Sequence, residues 1–192
     1  NMSRITPGLL LALFATLPLS GCVPVVAVGV GSAALMADDR RTTGTYLTDE
    51  QIELKAGNRL SEARLEGVHA SFTSYNRRLL ITGQAPTEAL KTRVGEIARE
   101  QQPDLKEVIN ELAVAGPTSL TVRGNDGFVT AKVKARFIDD RRFSAHHVKV
   151  VTENGVVYLM GLVKREEGDA AAEVAARTSG VTRVVKVFEY QD

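Results

Sequence analysis

The sequence predicts an α+β protein that contains two tandem copies of one unit, in the order helix, strand, strand, helix, strand. The first observation is an internal repeat, because HASFTSYNRRLLITG (69–83) aligns without a gap on HVKVVTENGVVYLMG (147–161). The second is that both segments alternate apolar and polar residues on either side of a polar turn and end at a glycine, as hairpins do. The third is that a helical pattern precedes and follows each hairpin, and a further strand completes each copy.

The N-terminal segment is typical of a secretory signal. Arg4 precedes the apolar run LLLALFATLPL (9–19), which is about half as long as a membrane-spanning helix. The run ends in LSGC (19–22), which resembles the bacterial lipobox, and Cys22 is the single cysteine of the chain. That resemblance implies cleavage before Cys22 and attachment of fatty acyl chains such as palmitate to it. The alternatives are a plain secretory signal with a chance cysteine, or a membrane helix that continues through residues 23–37.

The residue after Cys22 indicates a destination. It is Val23 rather than aspartate, and under the sorting rule for lipoproteins of Gram-negative bacteria this implies a lipid-anchored protein of the outer membrane that faces the periplasm. Five segments are therefore predicted: a signal peptide at 1–21, an acylated N-terminus and tether at 22–45, a first domain at 46–115, a linker at 116–125 and a second domain at 126–192.

The first helix of each copy is predicted over residues 48–60 and 126–138. In the second copy Val129, Val133 and Phe137 recur at i, i+4 and i+8, which places them on one side of a helix. At an offset of 77, the first copy has apolar residues in the same three positions, Ile52, Ala56 and Leu60. The stripe that the two copies share is therefore predicted to be the core side of each helix.

Each hairpin is predicted to have a polar turn and to end at a glycine. Asn154 and Gly155 form the Asn-Gly pair that suits a type I′ turn, since both turn positions take positive φ. Gly83 and Gly161 each end a second strand, where either a positive φ or a close backbone approach excludes a side chain. We predict that both are structural glycines.

The second helix and the last strand of each copy follow the hairpin. Thr87 is predicted to cap one helix, and Glu166 with Glu167 favours the start of the other. The last strands are predicted over 107–114 and 182–190, and AGPTSLTVRGND (115–126) joins the copies. The helix residues predicted to face the core are Leu90, Val94 and Ile97 in the first copy and Ala171, Val174 and Ala175 in the second.

This pattern resembles the BON domain family, most of all in the hairpin VKVVTENGVVYLMG (148–161) and the small-residue helix AAAEVAARTSGVTRVV (170–185). The whole chain, with a lipobox and two such units, is similar to the dual-BON outer-membrane lipoproteins of the division- and outer-membrane stress-associated lipid-binding protein family. The resemblance covers nearly all of residues 46–190. It implies a three-stranded mixed sheet packed on two helices in each domain, and a role in phospholipid binding and outer-membrane integrity.

The first helix of the second copy carries a further apolar stripe that the first copy lacks. Its members, Phe128, Ala131, Ala135 and Ile138, correspond to Gln51, Leu54, Asn58 and Ser61. Residues 126–142 have five basic and three acidic residues, a net +2, whereas residues 48–66 have three basic and five acidic ones, a net −2. An apolar face with cations around it suits an anionic bilayer surface. We therefore predict that anionic phospholipid binds the four stripe residues together with Lys132 and Lys134.

Two alternatives stay open for this stripe. It could pack on the first domain or on Leu120 and Val122 of the linker. It could also meet a protein partner in the cell envelope, in which case the chain would be an interaction adaptor. Salt separates the membrane from a protein partner, because a charge-led membrane contact weakens as salt rises whereas a dry apolar interface does not.

Composition and spacing argue against several other classes. A net charge of +1 and few aromatic residues give no support to nucleic-acid binding. His69 and His147 precede matching strands, and His146 beside His147 would point to the opposite face of a strand, so we expect no metal site. The sequence has no nucleophile elbow and no Gly-rich phosphate loop. We expect no catalytic residue and no cofactor, and hence not an enzyme.

Overall fold

The structure is a computed structural model that describes residues 39–100 and 102–191. The predictions on the signal segment, on Cys22 and on the tether up to residue 38 lie outside the described residues. The elements of the first copy are α1 (Thr43–Ala63), β1 (His69–Tyr75), β2 (Arg78–Ala85), α2 (Glu88–Arg99), β3 (Glu107–Asn110) and β4 (Ala113–Val114). Those of the second copy are α3 (Leu120–Asp139), a 3₁₀ turn (Ala145–His147), β5 (Val148–Glu153), β6 (Val156–Val163), α4 (Arg165–Ala176) and β7 (Arg183–Tyr190).

Each copy forms the predicted unit around a mixed sheet whose middle strand is the second strand of the hairpin. β2 pairs antiparallel with β1 and parallel with β3 and β4, and β6 pairs antiparallel with β5 and parallel with β7. The predicted α+β fold with two mixed sheets is confirmed. The strand predicted over 107–114 is broken, however, because Leu112 turns into the core between β3 and β4.

The first helix of each copy is longer than predicted. The Thr42 side chain caps α1 by accepting a hydrogen bond from the Thr45 amide at 3.1 Å, and Ser119 caps α3 by accepting one from Val122 at 3.3 Å. Hence α3 begins at Leu120 rather than at residue 126 and includes GNDG (124–127), which reads as a linker from its composition. A glycine inside a helix costs about 1 kcal/mol, which packing elsewhere along the helix can offset.

Each copy has its own hydrophobic core between its sheet and its helices, and the shared stripe faces that core as predicted. In the first copy Ile52 and Ala56 pack against Leu79 and Ile81 of β2, with Val94 of α2 beside them. Thr87 accepts a hydrogen bond from the Leu90 amide at 3.2 Å, which confirms it as the cap of α2. The second core contains Val129, Val133, Phe137, Val157, Leu159, Ala171, Val174 and Ala175.

The two sheets also pack against each other through their remaining faces. Tyr75 and Leu80 of the first sheet meet Tyr158, Met160 and Val187 of the second, and all five side chains are buried. The middle strands are thus covered on both faces, which explains why β6 reads as a nearly continuous apolar run. Every core described here is built from residues 49–190, so a fragment of residues 39–192 retains all of them.

A short segment before α1, residues 39–41, joins the two copies, and we call it the interdomain strap. Arg40 donates to both carboxylate oxygens of Glu167 in α4, at 2.6 and 2.7 Å. Arg41 donates to the buried carboxylate of Asp49 in α1 at 2.9 Å. The hydrogen bonds from Arg40 lower the pKa of Glu167 to about 2. The chain is therefore bound to both copies at the point where it enters the described part of the molecule.

The two glycines that end the hairpins leave no room for a side chain. A Cβ atom on Gly83 would overlap the carbonyl oxygen of His69, and one on Gly161 would overlap that of His147. Gly83 also has a φ of 123°, so both the close backbone approach and the positive φ favour glycine at this position. The neighbouring histidines of the second copy lie in the 3₁₀ turn rather than in a strand, because the His147 amide donates to the Ser144 carbonyl oxygen.

Candidate functional site

The core side of α3 fixes how the helix is rotated. Val129, Val133 and Phe137 are each at most 1% exposed, and the Phe137 ring meets Phe143 edge-on with their centroids 5.0 Å apart. A buried aspartate, Asp126, lies on the same side. Because this side is fully occupied, the opposite side of the helix faces outward along its whole length.

Asp126 attaches α3 to its hairpin turn, and sequence reasoning missed this role. Its carboxylate accepts hydrogen bonds from the Asn154 and Gly155 amides, both at 2.8 Å. Asp49 accepts the two equivalent amides of the first hairpin turn at 2.8 and 2.7 Å. The sequence does contain evidence for this role, because an aspartate occupies the same position in both copies, at the offset of 77 that aligns the two helices. In each copy, the two hydrogen bonds to the aspartate hold the first helix in a fixed position over its sheet.

The outward side of α3 is an uncharged face with three large apolar side chains, and we call it the α3 outer face. Leu120 is 78% exposed, and Phe128 and Ile138 are each 73% exposed. Four exposed small residues lie between them on the same side of the helix, Gly124, Gly127, Ala131 and Ala135. The face extends about 27 Å along the helix, at 1.5 Å per residue.

Cations border the α3 outer face on both edges. Lys132 and Arg136, four residues apart, lie along one edge. Arg123 and Lys134, three helical turns apart, lie along the other. Beyond the end of the helix, Arg142 is held by Asp140 and Glu173 at 2.8 and 2.7 Å.

The equivalent side of α1 in the first copy has a different character. It presents Leu47 and Leu54, which are 55% and 65% exposed, but polar residues stand where α3 has Phe128 and Ile138. Those polar residues are Gln51 and Ser61. The contrast between the copies that the sequence predicts is therefore a contrast between two exposed helix faces.

All six residues predicted to bind phospholipid lie on α3 and are exposed. Because the large apolar members of the stripe are open to solvent, the alternative in which it is buried on the first domain does not describe this structure. The six residues do not all have the same surroundings, however. Lys132 donates to the backbone carbonyl oxygen of Ser179 at 2.8 Å, whereas the side chain of Lys134 makes no hydrogen bond or ion pair within the described residues.

The described helices neither cross a membrane nor contribute to a metal cluster. Within residues 39–100 and 102–191, no helix is both long enough and apolar enough to cross a bilayer. In the same part of the chain, no three histidine, cysteine, aspartate or glutamate side chains come together in a way that could hold a metal ion. The α3 outer face is thus a surface along one helix of a packed domain.

Comparison with known proteins places both copies in one family. The BON domain family matches residues 48–116 and 125–192. The chain is similar to Outer membrane lipoprotein DolP of Haemophilus influenzae, with 39% identity over 187 residues that cover 96% of each chain. It is also similar to a 21 kDa hemolysin of Actinobacillus pleuropneumoniae, with 33% identity over 154 residues that cover 79% of each chain. A solved structure of CdsD, a structural protein of the type III secretion system of Chlamydia trachomatis, has 10% sequence identity and a TM-score of 0.31. The match covers 72% of this chain and 91% of that chain.

Proposed function

The chain belongs to the BON domain family as a dual-BON outer-membrane lipoprotein, and we propose that it binds anionic phospholipid through the α3 outer face and so supports outer-membrane integrity. In this proposal Cys22 carries the acyl chains, and no catalytic step is assigned to the chain. The observation that supports the proposal is the combination of exposed Leu120, Phe128 and Ile138 with cations beside them on the same helix.

Two kinds of interaction would hold α3 at an anionic bilayer. Entry of Phe128 or Ile138 into the boundary between headgroups and acyl chains removes apolar surface from water, which contributes about 1.5–3 kcal/mol for each fully buried side chain. A lysine or arginine near the surface adds about 1 kcal/mol through attraction to the anionic lipids. The apolar face sets the side of the molecule that binds, and the cations select anionic over neutral membranes.

The acyl anchor and the α3 outer face would act together. Acylation of Cys22 holds the chain at a membrane, so α3 meets the lipid surface at a high effective concentration. Under these conditions a face that binds only weakly in free solution is sufficient. The second domain would then lie on the bilayer while the first domain remains available for other contacts in the periplasm.

The proposal is tested with the fragment of residues 39–192, which lacks the acyl chains and retains every described core. Co-sedimentation compares vesicles of phosphatidylcholine with vesicles of equal parts phosphatidylcholine and phosphatidylglycerol. We expect binding to the anionic vesicles alone, and we expect Phe128→Asp combined with Ile138→Asp to abolish it. The proposal is falsified if that double variant keeps its fold and binds anionic vesicles like the parent.

The first copy provides a matched control. Leu47→Asp combined with Leu54→Asp places the same two charges on the exposed side of α1, in side chains of comparable exposure. We expect this variant to bind anionic vesicles like the parent, since α1 lacks the apolar and cationic pattern of α3. An equal loss in both double variants would indicate a general effect of added negative charge.

The same fragment separates the alternative function, an adaptor that binds an envelope protein through the same helix face. Membrane binding led by charge weakens steeply between low and physiological salt, because exposed charges are screened within about 8–10 Å. Absence of binding to either vesicle type at low salt would leave the adaptor as the better hypothesis. The next step would then be crosslinking in the cell envelope from a probe at Ala131.

A further inference from the structure

The two cationic edges of α3 differ in what their side chains already bind. On one edge, Lys132 donates to the Ser179 carbonyl oxygen at 2.8 Å, and Arg136 donates to the Arg177 carbonyl oxygen at 2.5 Å. Arg136 also reaches the Thr178 hydroxyl at 3.4 Å. Both cations therefore attach the helix to the loop between α4 and β7, and their charged groups are directed toward that loop.

The loop packs closely against the helix at this attachment. Gly180 at its centre has a φ of 96°, and a Cβ atom there would press on Val129 of α3. Thr178 is buried and donates to the Val174 carbonyl oxygen at 2.9 Å, the Val181 amide donates to the Thr178 carbonyl oxygen at 3.1 Å, and Lys132 and Arg136 add their hydrogen bonds from the helix side. Lys132 thus has a structural task that can be read from the contacts alone.

The opposite edge has no such contacts. The side chains of Arg123 and Lys134 are exposed, and within the part of the chain that the structure describes neither makes a hydrogen bond or an ion pair. Arg141, just beyond the helix, is in the same situation. No acidic residue of α3 stands between Arg123 and Lys134 on this edge, because Asp126 points into the core and Asp139 lies toward the Lys132 edge.

We infer that the phosphate groups of anionic lipids bind along the edge of α3 that carries Arg123 and Lys134, whereas Lys132 and Arg136 are positioning residues that hold the loop at 177–180. This inference rests on the proposed function and assigns its charge to one side of the helix, so it departs from the sequence prediction in removing Lys132 from the residues that bind phospholipid. The hydrogen bonds to the loop occupy donors of Lys132 and Arg136 and direct them toward that loop, whereas in the described part of the chain every side-chain donor of Arg123 and Lys134 is open to a lipid phosphate.

The assignment predicts the orientation of the helix on the bilayer. Because the attraction to the anionic lipids acts on one edge, α3 is rotated about its own axis so that Arg123 and Lys134 turn toward the bilayer. The side of the α3 outer face nearest that edge, at Gly127, is then deeper in the headgroup layer than the side nearest Lys132, at Thr121. Both positions are exposed, and at Gly127 an added side chain meets open space.

Two charge-matched double variants test the assignment in the fragment of residues 39–192 with the phosphatidylcholine and phosphatidylglycerol vesicles. Each removes two positive charges, from Arg123 and Lys134 in one case and from Lys132 and Arg136 in the other, by substitution with alanine. Loss of a cation that meets the anionic surface lowers affinity about fivefold, so we expect about 25-fold for Arg123→Ala with Lys134→Ala. We expect less than about threefold for Lys132→Ala with Arg136→Ala, together with a lower melting temperature.

A second measurement does not depend on the stability of these variants. The chain has no tryptophan, so a single introduced one reports its own position without background. We expect brominated lipids in the same vesicles to quench Gly127→Trp more strongly than Thr121→Trp. Equal quenching, or stronger quenching at 121, would overturn the predicted roll of the helix.

The possible outcomes also separate this inference from the proposed function. Equal affinity losses from the two double variants, with Phe128→Asp still preventing binding, would overturn the edge assignment and leave phospholipid binding intact. Binding that none of the variants changes, Phe128→Asp included, would overturn both. A large loss confined to Arg123 and Lys134 supports the inference.

Discussion

Replacement of Asp126 by alanine should destabilise the second domain although no apolar contact is removed. The carboxylate accepts two backbone hydrogen bonds at the hairpin turn, from Asn154 and Gly155. The Gly155 amide is buried, and the Asn154 amide is partly buried. Hydrogen bonds to a charged acceptor contribute about 1.5–3 kcal/mol each, and the more exposed one contributes less. We therefore expect Asp126→Ala to lower the free energy of unfolding by about 2–4 kcal/mol.

The assay is urea and thermal unfolding of the fragment of residues 39–192, followed by circular dichroism. For a chain of this size, a loss of that order corresponds to a fall in melting temperature of about 5–15 °C. Asp139→Ala is the matched control, since Asp139 is an exposed aspartate at the end of the same helix, and we expect it to stay within about 0.5 kcal/mol of the parent. Asp126→Asn, which keeps one acceptor oxygen, should fall between the two.

The result that would refute this reasoning is an Asp126→Ala variant as stable as Asp139→Ala. Such a result would mean that the turn forms equally well without the carboxylate, so the buried aspartates would not be what attaches each first helix to its sheet. The equivalent change in the first copy, Asp49→Ala, should cost more, because it also leaves the guanidinium of Arg41 buried beside a missing partner.

Three further predictions concern stability. Gly161→Val should unfold the second domain, because any side chain there meets the His147 carbonyl oxygen, and a variant that melts like the parent would contradict this. The lowered pKa of Glu167 means that its pairing with Arg40 stabilises the fold above the ordinary value of 4.5 and that this stability is lost as the pH falls through about 2. The full pKa shift corresponds to about 3 kcal/mol of stability, and solvent screening reduces this to about 1–2 kcal/mol. Glu167→Gln should therefore be less stable than the parent by about 1–2 kcal/mol at pH 7 and equal to it near pH 2. A difference in stability that does not change with pH would argue against the pairing. Gly124→Ala should raise the free energy of unfolding by about 0.5–1 kcal/mol, because the added methyl group meets open space in a helix interior. The urea midpoint should rise accordingly, and an unchanged midpoint would contradict this prediction.

Much of the fold could be predicted because local signals and the repeat agree. Asn154 and Gly155 determine the hairpin turn, Thr87 starts its helix, and the shared stripe marks the core side of α1 and α3. Comparison of the two copies also identified the surplus stripe of α3, since any apolar position needed for the core should occur in both.

The rest depends on contacts that pair distant residues. The sequence analysis did not predict the packing of one sheet on the other, because Leu80 and Tyr158 lie on strand faces that an isolated domain would expose to water. The apolar character of both residues nevertheless indicates that these faces are buried. The task of Lys132 could not be read from the sequence, because its partner Ser179 lies 47 residues away in a loop. Spacing alone could not distinguish Lys132 from Lys134.

The interdomain strap determines how the molecule carries a mechanical load. A pull that enters the described part of the chain at residue 39 reaches Arg40 and Arg41 before it reaches α1. These two arginines pass the force to Glu167 in one copy and to Asp49 in the other, so the two domains share the load from the start. The first helix of the second domain lies outside this path, so a load that enters at residue 39 reaches both domains without passing through α3.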